Sequence, residues 1–389
     1  MPSVVGMGRI RAASVAALAA AAMVVSAGTA AAAVDAGQPS AAAGHLRVAT
    51  MDAHLTRDAE GGLAVDLASG NDAEALRLAA VVQRERPDVL VLTGLDVDPD
   101  GVVVSTLRDS YFGAGRDGLR GMDYGYSFSA PTNAGVQSGT DLDGDGQIGG
   151  PGDAFGYGEF EGASSLAVFS TQPIDLANVR TFNDLLWSQV PGNHLRRSGL
   201  GSVARSSIPL QGTSLWDVPI GQGEDALHVL ATAVTADPEE GEAQEVRRAD
   251  QLSFLKRFAA GDPRLRTVAD DKGREGALPR HARAVVVGDL GGEAEAVHDA
   301  PLRDLLDGTA VVDPEQGALD VSVPASWWGD SLGRVLRASA SATRLGDEFG
   351  RRDIAAPTLS TALLGSGLSS VPASSDGDER RMVWVDVAR

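Results

Sequence analysis

The chain has 389 residues, a formal net charge of −20 and no cysteine. This length suits one large domain or two ordinary ones, and the lack of cysteine excludes a disulfide framework. A surface this acidic repels phosphate backbones, so nucleic acid is not an expected partner. The same charge still allows a local site for a divalent cation.

The N-terminal segment has the layout of a secretory signal peptide. Arg9 and Arg11 form a short basic region, residues 12–28 are small and apolar, and residues 30–33 offer A-x-A cleavage options. A retained membrane anchor is the alternative, although no second apolar run approaches spanning length. We therefore expect a secreted, monomeric protein with no membrane span in its mature chain. The expected boundaries are a signal peptide over residues 1–33, a flexible leader over residues 34–45 and one domain over residues 46–389.

The first predicted elements form a strand–helix–strand unit. Residues 46–50 predict a short strand. A helix follows, with Asn71 as its cap and Glu74 as the capping-box partner, and Pro87 ends it. Residues 88–96 then stay apolar for five positions, which is typical of a strand buried on both faces. This order indicates an α/β fold.

The remaining chain predicts further strands and one long helix. Residues 98–135 have the composition of a loop, with glycine, aspartate and tyrosine and little periodicity. The predicted strands are residues 166–170, 227–234, 284–288 and 383–387, and the predicted helix is residues 246–258.

Eight short motifs follow one another along this framework. They are Arg47-Val-Ala-Thr50, Pro87-Asp-Val-Leu-Val-Leu92, Gly135-Val-Gln-Ser-Gly139, Asp141-Leu-Asp-Gly-Asp-Gly146, Gly149-Gly-Pro-Gly-Asp-Ala-Phe-Gly156, Trp216-Asp-Val-Pro219, Val286-Val-Gly-Asp289 and Val383-Trp-Val-Asp386. In this order and spacing the chain resembles the endonuclease/exonuclease/phosphatase superfamily, in its secreted bacterial branch. The resemblance implies an α/β fold of the DNase I-like kind. In that fold a two-layer β-sandwich is flanked by helices, giving four layers in the order α/β/β/α.

Active members of this superfamily are metal-dependent phosphoesterases, so the resemblance also implies a site at one mouth of the sandwich. Mg²⁺ held by carboxylates neutralises the phosphate and stabilises the leaving oxygen. A GDxN turn positions the attacking water. A histidine from a terminal SDH motif stabilises the transition state.

Most residues that this chemistry requires are replaced in the chain. Asp52 stands at the position of the first-strand asparagine, Gly94 at the metal-binding glutamate and Ala233 at a histidine. In the GDxN turn Asp289 is retained, while Gly291 replaces the asparagine.

The last two motif positions are also changed. Gly333 falls at the aspartate of the penultimate strand. The SDH motif aligns with either Asp378-Glu-Arg380 or Ser375-Asp-Gly377, and no histidine follows His298. With Arg380 or Gly377 in its place, the motif lacks its histidine in both alignments.

Two functions remain open from these substitutions. The first is a catalytically inactive or severely weakened protein that binds a partner or has a structural role outside the cell. The second is an active phosphoesterase whose Mg²⁺ or Mn²⁺ is held by Asp52, Asp96 and Asp289. Asp96 lies two residues beyond Gly94 and so shares its face in an ideal strand. Asp289, followed by Leu290 and two glycines, also suits a simple strand-end turn.

The acidic loop, residues 141–153, predicts a calcium site. Asp141, Asp143, Asp145 and Gln147 match positions one, three, five and seven of an EF-hand-type loop. Position twelve is Gly152 where a bidentate glutamate is expected, and Asp153 follows it. A solvated acidic turn is the alternative.

The six histidines have no zinc-type spacing to other ligands. They include His54 in a predicted loop, His194 beside two arginines and His228 in a predicted strand. We expect them to be ordinary surface or half-buried residues.

Overall fold

The computed structural model describes residues 41, 44–234, 242–290, 301, 304–305, 311–312, 333–338, 363–370 and 381–388. The expected signal peptide, Gly291 and every residue of the two SDH alignments lie outside them. The chain from Gln38 to Arg389 groups into one compact unit.

Two six-stranded mixed sheets form the core of this unit. In the first sheet the strands are β1 (His45–Leu55), β2 (Val89–Leu95), β3 (Tyr126–Phe128), β4 (Ser165–Ser170), β11 (Leu363–Ser370) and β12 (Arg381–Ala388). In the second they are β5 (Arg180–Thr181), β6 (Ser214–Ile220), β7 (Leu227–Ala233), β8 (Arg283–Asp289), β9 (Val311–Val312) and β10 (Gly333–Ala338).

Each sheet places a parallel pair at its centre. The first has the order β11-β12-β1-β2-β4-β3, and the second β5-β6-β7-β8-β10-β9. Strands β1 and β2 are parallel, as are β7 and β8, while the other neighbours are antiparallel. The carboxyl ends of each parallel pair therefore lie at the same edge of their sheet.

The helices cover the outer faces of the two sheets. They are α1 (Gly62–Ala68), α2 (Ala73–Glu85), α3 (Val102–Thr106), α4 (Ser202–Ser207) and α5 (Glu242–Ala259). A π-helical turn, Leu107–Phe112, extends α3.

Consecutive residues of the central strands explain the four layers. Val89 packs between the sheets, and its neighbour Leu90 packs against α1, α2 and α3. In the second sheet Val285 packs between the sheets and Val286 against α5. Strands buried on both faces need no polar alternation, which is why β2 and β8 read as apolar runs. The DNase I-like α/β/β/α expectation is confirmed.

The start of α2 differs from the prediction. Its cap is Asp72, whose Oδ1 accepts a hydrogen bond from Ala75 N at 2.8 Å. The Asn71 side chain instead donates to Ser69 O at 3.0 Å. Only the residue three positions before Ala75 can reach its amide in this geometry, so Asn71 lies one position too early.

Three other predictions of elements need correction. Strand β1 has 11 residues and begins at His45, inside the expected leader. It also includes His54, which was expected to lie in a loop. The expected loop at residues 98–135 contains α3, the π-helical turn and β3. Strand β6 was not predicted, and it includes Pro219, a residue that is rare inside strands. Among the described residues, no helix is long and apolar enough to cross a bilayer.

Candidate functional site

The retained and replaced motif positions fall at the carboxyl ends of four central strands. We call Asp52, Gly94, Ala233 and Asp289 the strand-end site. Asp52 of β1 is in register with Thr93 of β2, directly before Gly94. Ala233 is the last residue of β7, and Asp289 is the last of β8. The fold thus places these positions where α/β proteins hold their chemistry.

Gly94 has no room for the glutamate that the family resemblance expects. Its φ is +62°, a left-handed conformation in which side-chain residues are strained. A Cβ built on it would lie 3.0 Å from Asp52 Cγ and would overlap Asp52 Oδ1. The Asp52 carboxylate therefore fills the position where a side chain on residue 94 would begin.

The Asp52 carboxylate also contacts His54, a residue of its own strand. Asp52 Oδ1 accepts a hydrogen bond from His54 N at 3.0 Å, and Asp52 Oδ2 lies 3.3 Å from His54 Nε2. The backbone makes this possible, because His54 has a φ of +47° and the β1–β2 register shifts between Asp52 and Leu55. A bulge of this kind re-aims a side chain at a strand end.

Asp96 serves a different purpose from the one expected. Its Oδ2 accepts from Arg57 N at 2.6 Å, its Oδ1 accepts from Ser164 N at 3.0 Å, and the residue is 4% exposed. Burial raises the pKa of Asp96 above its ordinary value, and these two hydrogen bonds offset only part of the rise. The carboxylate joins two loops through their backbone.

Asp289 is paired across the sheet with two residues whose side chains cannot bind a metal. In the parallel register Ala233 faces Asp289, and on the other side Gly333 faces it. The Asp289 carbonyl accepts from Val234 N at 2.8 Å. Next to it, Gly288 has a φ of +127°, and a Cβ there would overlap Thr232 O, so only glycine fits.

The rearranged Mg²⁺ or Mn²⁺ site would need three carboxylates that converge. Asp52, Asp96 and Asp289 are all described, yet they are not a group of acidic ligands within 4.8 Å of one another. The β-bulge and the conformation of Gly94 break the ideal alternation that would put Asp96 beside Gly94. The three carboxylates do not converge here, and a cation shared by them stays a prediction.

The acidic loop is the group of acidic side chains that does converge. Among the residues that the structure describes, only Asp141, Asp143 and Asp145 bring three acidic or histidine ligand atoms within 4.8 Å of one another. All three are exposed. The turn is tight, because Asp141 accepts from Gly144 N at 2.7 Å and from Gly146 N at 3.1 Å.

Gln147 and Asp153 differ in their place within this loop. Gln147 is exposed, and its backbone N donates to Asp145 Oδ1 at 2.7 Å. Asp153 is 1% exposed, and its two carboxylate oxygens accept from Leu142 N at 2.6 Å and Gly149 N at 2.8 Å. Asp153 therefore closes the loop through the backbone and is not part of the converging group.

The structure also shows histidine–aspartate pairs that sequence reasoning missed. His228 Nδ1 lies 2.7 Å from Asp217 Oδ1, and His194 Nδ1 lies 2.8 Å from Asp250 Oδ1. The signal for the first was a charged residue, Asp217, inside an unbroken buried segment. Because β6 was not predicted, this position had no face to which it could be assigned.

Comparison with known proteins defines the class. The Endonuclease/Exonuclease/phosphatase family matches residues 64–292, more than half of the chain. The chain belongs to this family. No curated protein sequence matches it.

Several solved structures are similar to the chain at low identity. An endonuclease/exonuclease/phosphatase from Beutenbergia cavernae is 15% identical, with 88% of this chain and 71% of that chain covered and a TM-score of 0.44. Sphingomyelinase C from Streptomyces griseocarneus is 15% identical, with 89% and 99% covered and a TM-score of 0.43. Beta toxin from Staphylococcus aureus is 11% identical, with 88% and 99% covered and a TM-score of 0.41. Similarity at this level says nothing about shared activity.

Proposed function

We propose that this protein is an exported member of the family that has lost, or almost lost, phosphoester hydrolysis. In this proposal it acts as a binding or structural protein at the cell exterior. One observation carries it: the Asp52 carboxylate fills the space of a side chain on Gly94, which itself is in a left-handed conformation. The central metal ligand is therefore missing, and its place is also closed.

The loss extends beyond one ligand. Ala233 and Gly333, the neighbours of Asp289 in the sheet, can neither hold a metal nor move a proton. Asp96, the first acidic residue after β2, is bound by two backbone amides. Metal-dependent hydrolysis needs a cation that stabilises charge on the phosphate, and these residues offer no such set.

A phosphodiesterase assay tests the proposal. The protein is incubated with bis(p-nitrophenyl) phosphate and Mg²⁺, Mn²⁺ or Ca²⁺, with a chelator as the blank. We expect no rate above the blank with any of the three ions. Metal-dependent turnover that disappears in Asp289→Ala would overturn the proposal.

The same assay can be repeated on a variant that restores the expected glutamate at residue 94. We expect Gly94→Glu to stay inactive, because the new side chain meets both the strained backbone and the Asp52 carboxylate. Activity in Gly94→Glu alone would show that only one ligand is missing. Circular dichroism on the variant confirms that it is folded.

The proposal includes one Ca²⁺ ion at the acidic loop. The supporting observations are the convergence of Asp141, Asp143 and Asp145 and their spacing at alternate positions before Gly146. Such an ion would stabilise an exported protein that has no disulfide.

A further inference from the structure

A pocket of about 760 Å³ lies on the outer face of the second sheet. Strands β6 and β7 contribute Asp217 and His228 to its wall, and the segment around Leu278 closes one side. His228 precedes Ala233 by five residues on β7, a separation of about 17 Å along a strand. This outer-face pocket is therefore distinct from the strand-end site.

A buried aspartate orients a histidine in this pocket. Asp217 is 1% exposed, and its Oδ1 lies 2.7 Å from His228 Nδ1. A carboxylate oxygen accepts hydrogen bonds, so His228 Nδ1 is the donor in this pair. Nε2 is then the ring nitrogen left to accept a hydrogen bond from a ligand.

The second oxygen of Asp217 lacks a donor. Among the described residues, none makes a hydrogen bond to Asp217 Oδ2, although this atom is buried. The other pair shows what a complete set looks like, because Asp250 Oδ2 accepts from Trp187 Nε1 at 2.6 Å and from His194 N at 2.5 Å. A buried acceptor without a donor lowers the stability of the folded protein. A ligand that donates a hydrogen bond to Asp217 Oδ2 would remove this cost.

The charges around the pocket favour a cation. Its two guanidinium groups are already engaged, because Arg180 and Arg274 both contact Asp270, at 2.7 Å and 3.2 Å. Arg274 also donates to the carbonyls of Asn178 and Val179. The carboxylates that line the pocket are those of Asp175, Asp217, Glu224 and Glu275.

The pocket also has an apolar wall. Leu278 and Ala282 are buried in the cluster that α5 forms with the outer face of the sheet. Ala226, 3% exposed, lines the pocket with them. A ligand with a hydrocarbon part would therefore remove apolar surface from water on binding.

We propose that the outer-face pocket binds a small organic amine. The ammonium group, which has only donors, bonds to the Asp217 carboxylate and to His228 Nε2. The hydrocarbon part packs on the wall formed by Ala226, Leu278 and Ala282. This binding is independent of whether the strand-end site hydrolyses phosphoesters.

Three probes of matched shape test the ligand class by isothermal titration calorimetry. They are 2-phenylethylamine, 3-phenylpropionate and 2-phenylethanol. We expect saturable 1:1 binding of the amine, with the anion and the alcohol at least about tenfold weaker, because buried hydrogen bonds to charged groups are strong. No saturable binding of the amine at several millimolar, or tighter binding of the anion, overturns the proposal.

Three variants test the position of the ligand. We expect Asp217→Asn to weaken amine binding about tenfold or more. Glu224→Gln, which alters an exposed side chain and leaves the fold intact, should weaken it about threefold through lost charge. The matched control is His194→Gln, which breaks the other histidine–aspartate pair and should leave binding unchanged. Binding that is unaffected by both pocket variants, or that His194→Gln weakens equally, refutes the site.

Discussion

The strand-end site and the acidic loop each have a glycine where the family or the loop motif expects a glutamate ligand. In both regions an aspartate carboxylate lies against that glycine: Asp52 at Gly94 and Asp143 at Gly152. In both, a second, buried aspartate accepts two backbone hydrogen bonds. Yet three carboxylates converge only in the loop.

The backbone explains this difference. Strand residues are spaced about 3.3 Å apart and successive side chains point to opposite faces of the sheet, so a strand can aim only alternate residues at one site. A glycine-rich turn curls around a point and can aim alternate side chains inward. The number of acidic residues therefore says little about a metal site without the backbone that carries them.

The largest effect should come from Gly94→Ala. A left-handed conformation and the collision with Asp52 should together destabilise the protein by about 2–4 kcal/mol. Urea denaturation measures this cost. Adding Asp52→Ala should recover the part that is due to the collision, and no recovery would show that the backbone strain accounts for all of it.

Asp96→Asn should have the next largest effect. An asparagine can accept only one of the two backbone hydrogen bonds and presents an amide to the other donor, so we expect a loss of about 1–3 kcal/mol at pH 7. The matched control is Asp184→Asn, at an exposed aspartate.

The same variant gives a pH dependence. Because the pKa of Asp96 is raised, the folded state binds the proton more tightly than the unfolded state does. The stability of the native protein relative to Asp96→Asn should therefore be greatest below pH 3.8 and should fall as the pH rises through the folded-state pKa. An opposite slope in urea titrations between pH 3 and 7 would contradict the raised pKa.

We expect Ca²⁺ to bind to the acidic loop and not to the strand-end site. We expect saturating Ca²⁺ to raise the melting temperature relative to chelator, with a stabilisation of about 2.7 kcal/mol when the free ion is 100 times its dissociation constant. Asp145→Ala should remove the response, and Asp52→Ala should leave it intact. Equal melting temperatures with Ca²⁺ and chelator would refute the calcium site.

The smallest effect should come from Gly152→Ala. The φ of Gly152 lies outside the left-handed region, and the atoms that a Cβ there would meet all belong to the side chain of Asp143, which is exposed. We expect less than about 0.5 kcal/mol, which is typical of surface substitutions. A cost close to that of Gly94→Ala would show that the Asp143 carboxylate cannot move aside more easily than the Asp52 carboxylate.

Much of the frame followed from local pattern. Residues 88–96 and 284–288 were correctly read as buried strands, because strands covered on both faces show continuous apolar runs. Strand β6 was missed although it is buried throughout, and its Pro219 is a residue that is rare inside strands. Without β6, Asp217 had no strand neighbour, and its pairing with His228 could not be foreseen.

By itself, the sequence carried the family resemblance, which implied the four layers and the replaced glutamate and histidine positions. It also carried the alternate aspartates of the acidic loop, because these depend only on residue type and order. Only the tertiary structure decided where the carboxylates point. The bulge after Asp52 places its carboxylate on Gly94, and contacts with distant loops occupy Asp96. The pairing of β6 with β7 brings Asp217 to His228. These contacts depend on strand pairing and on loops that the fold brings together, and local pattern does not encode them.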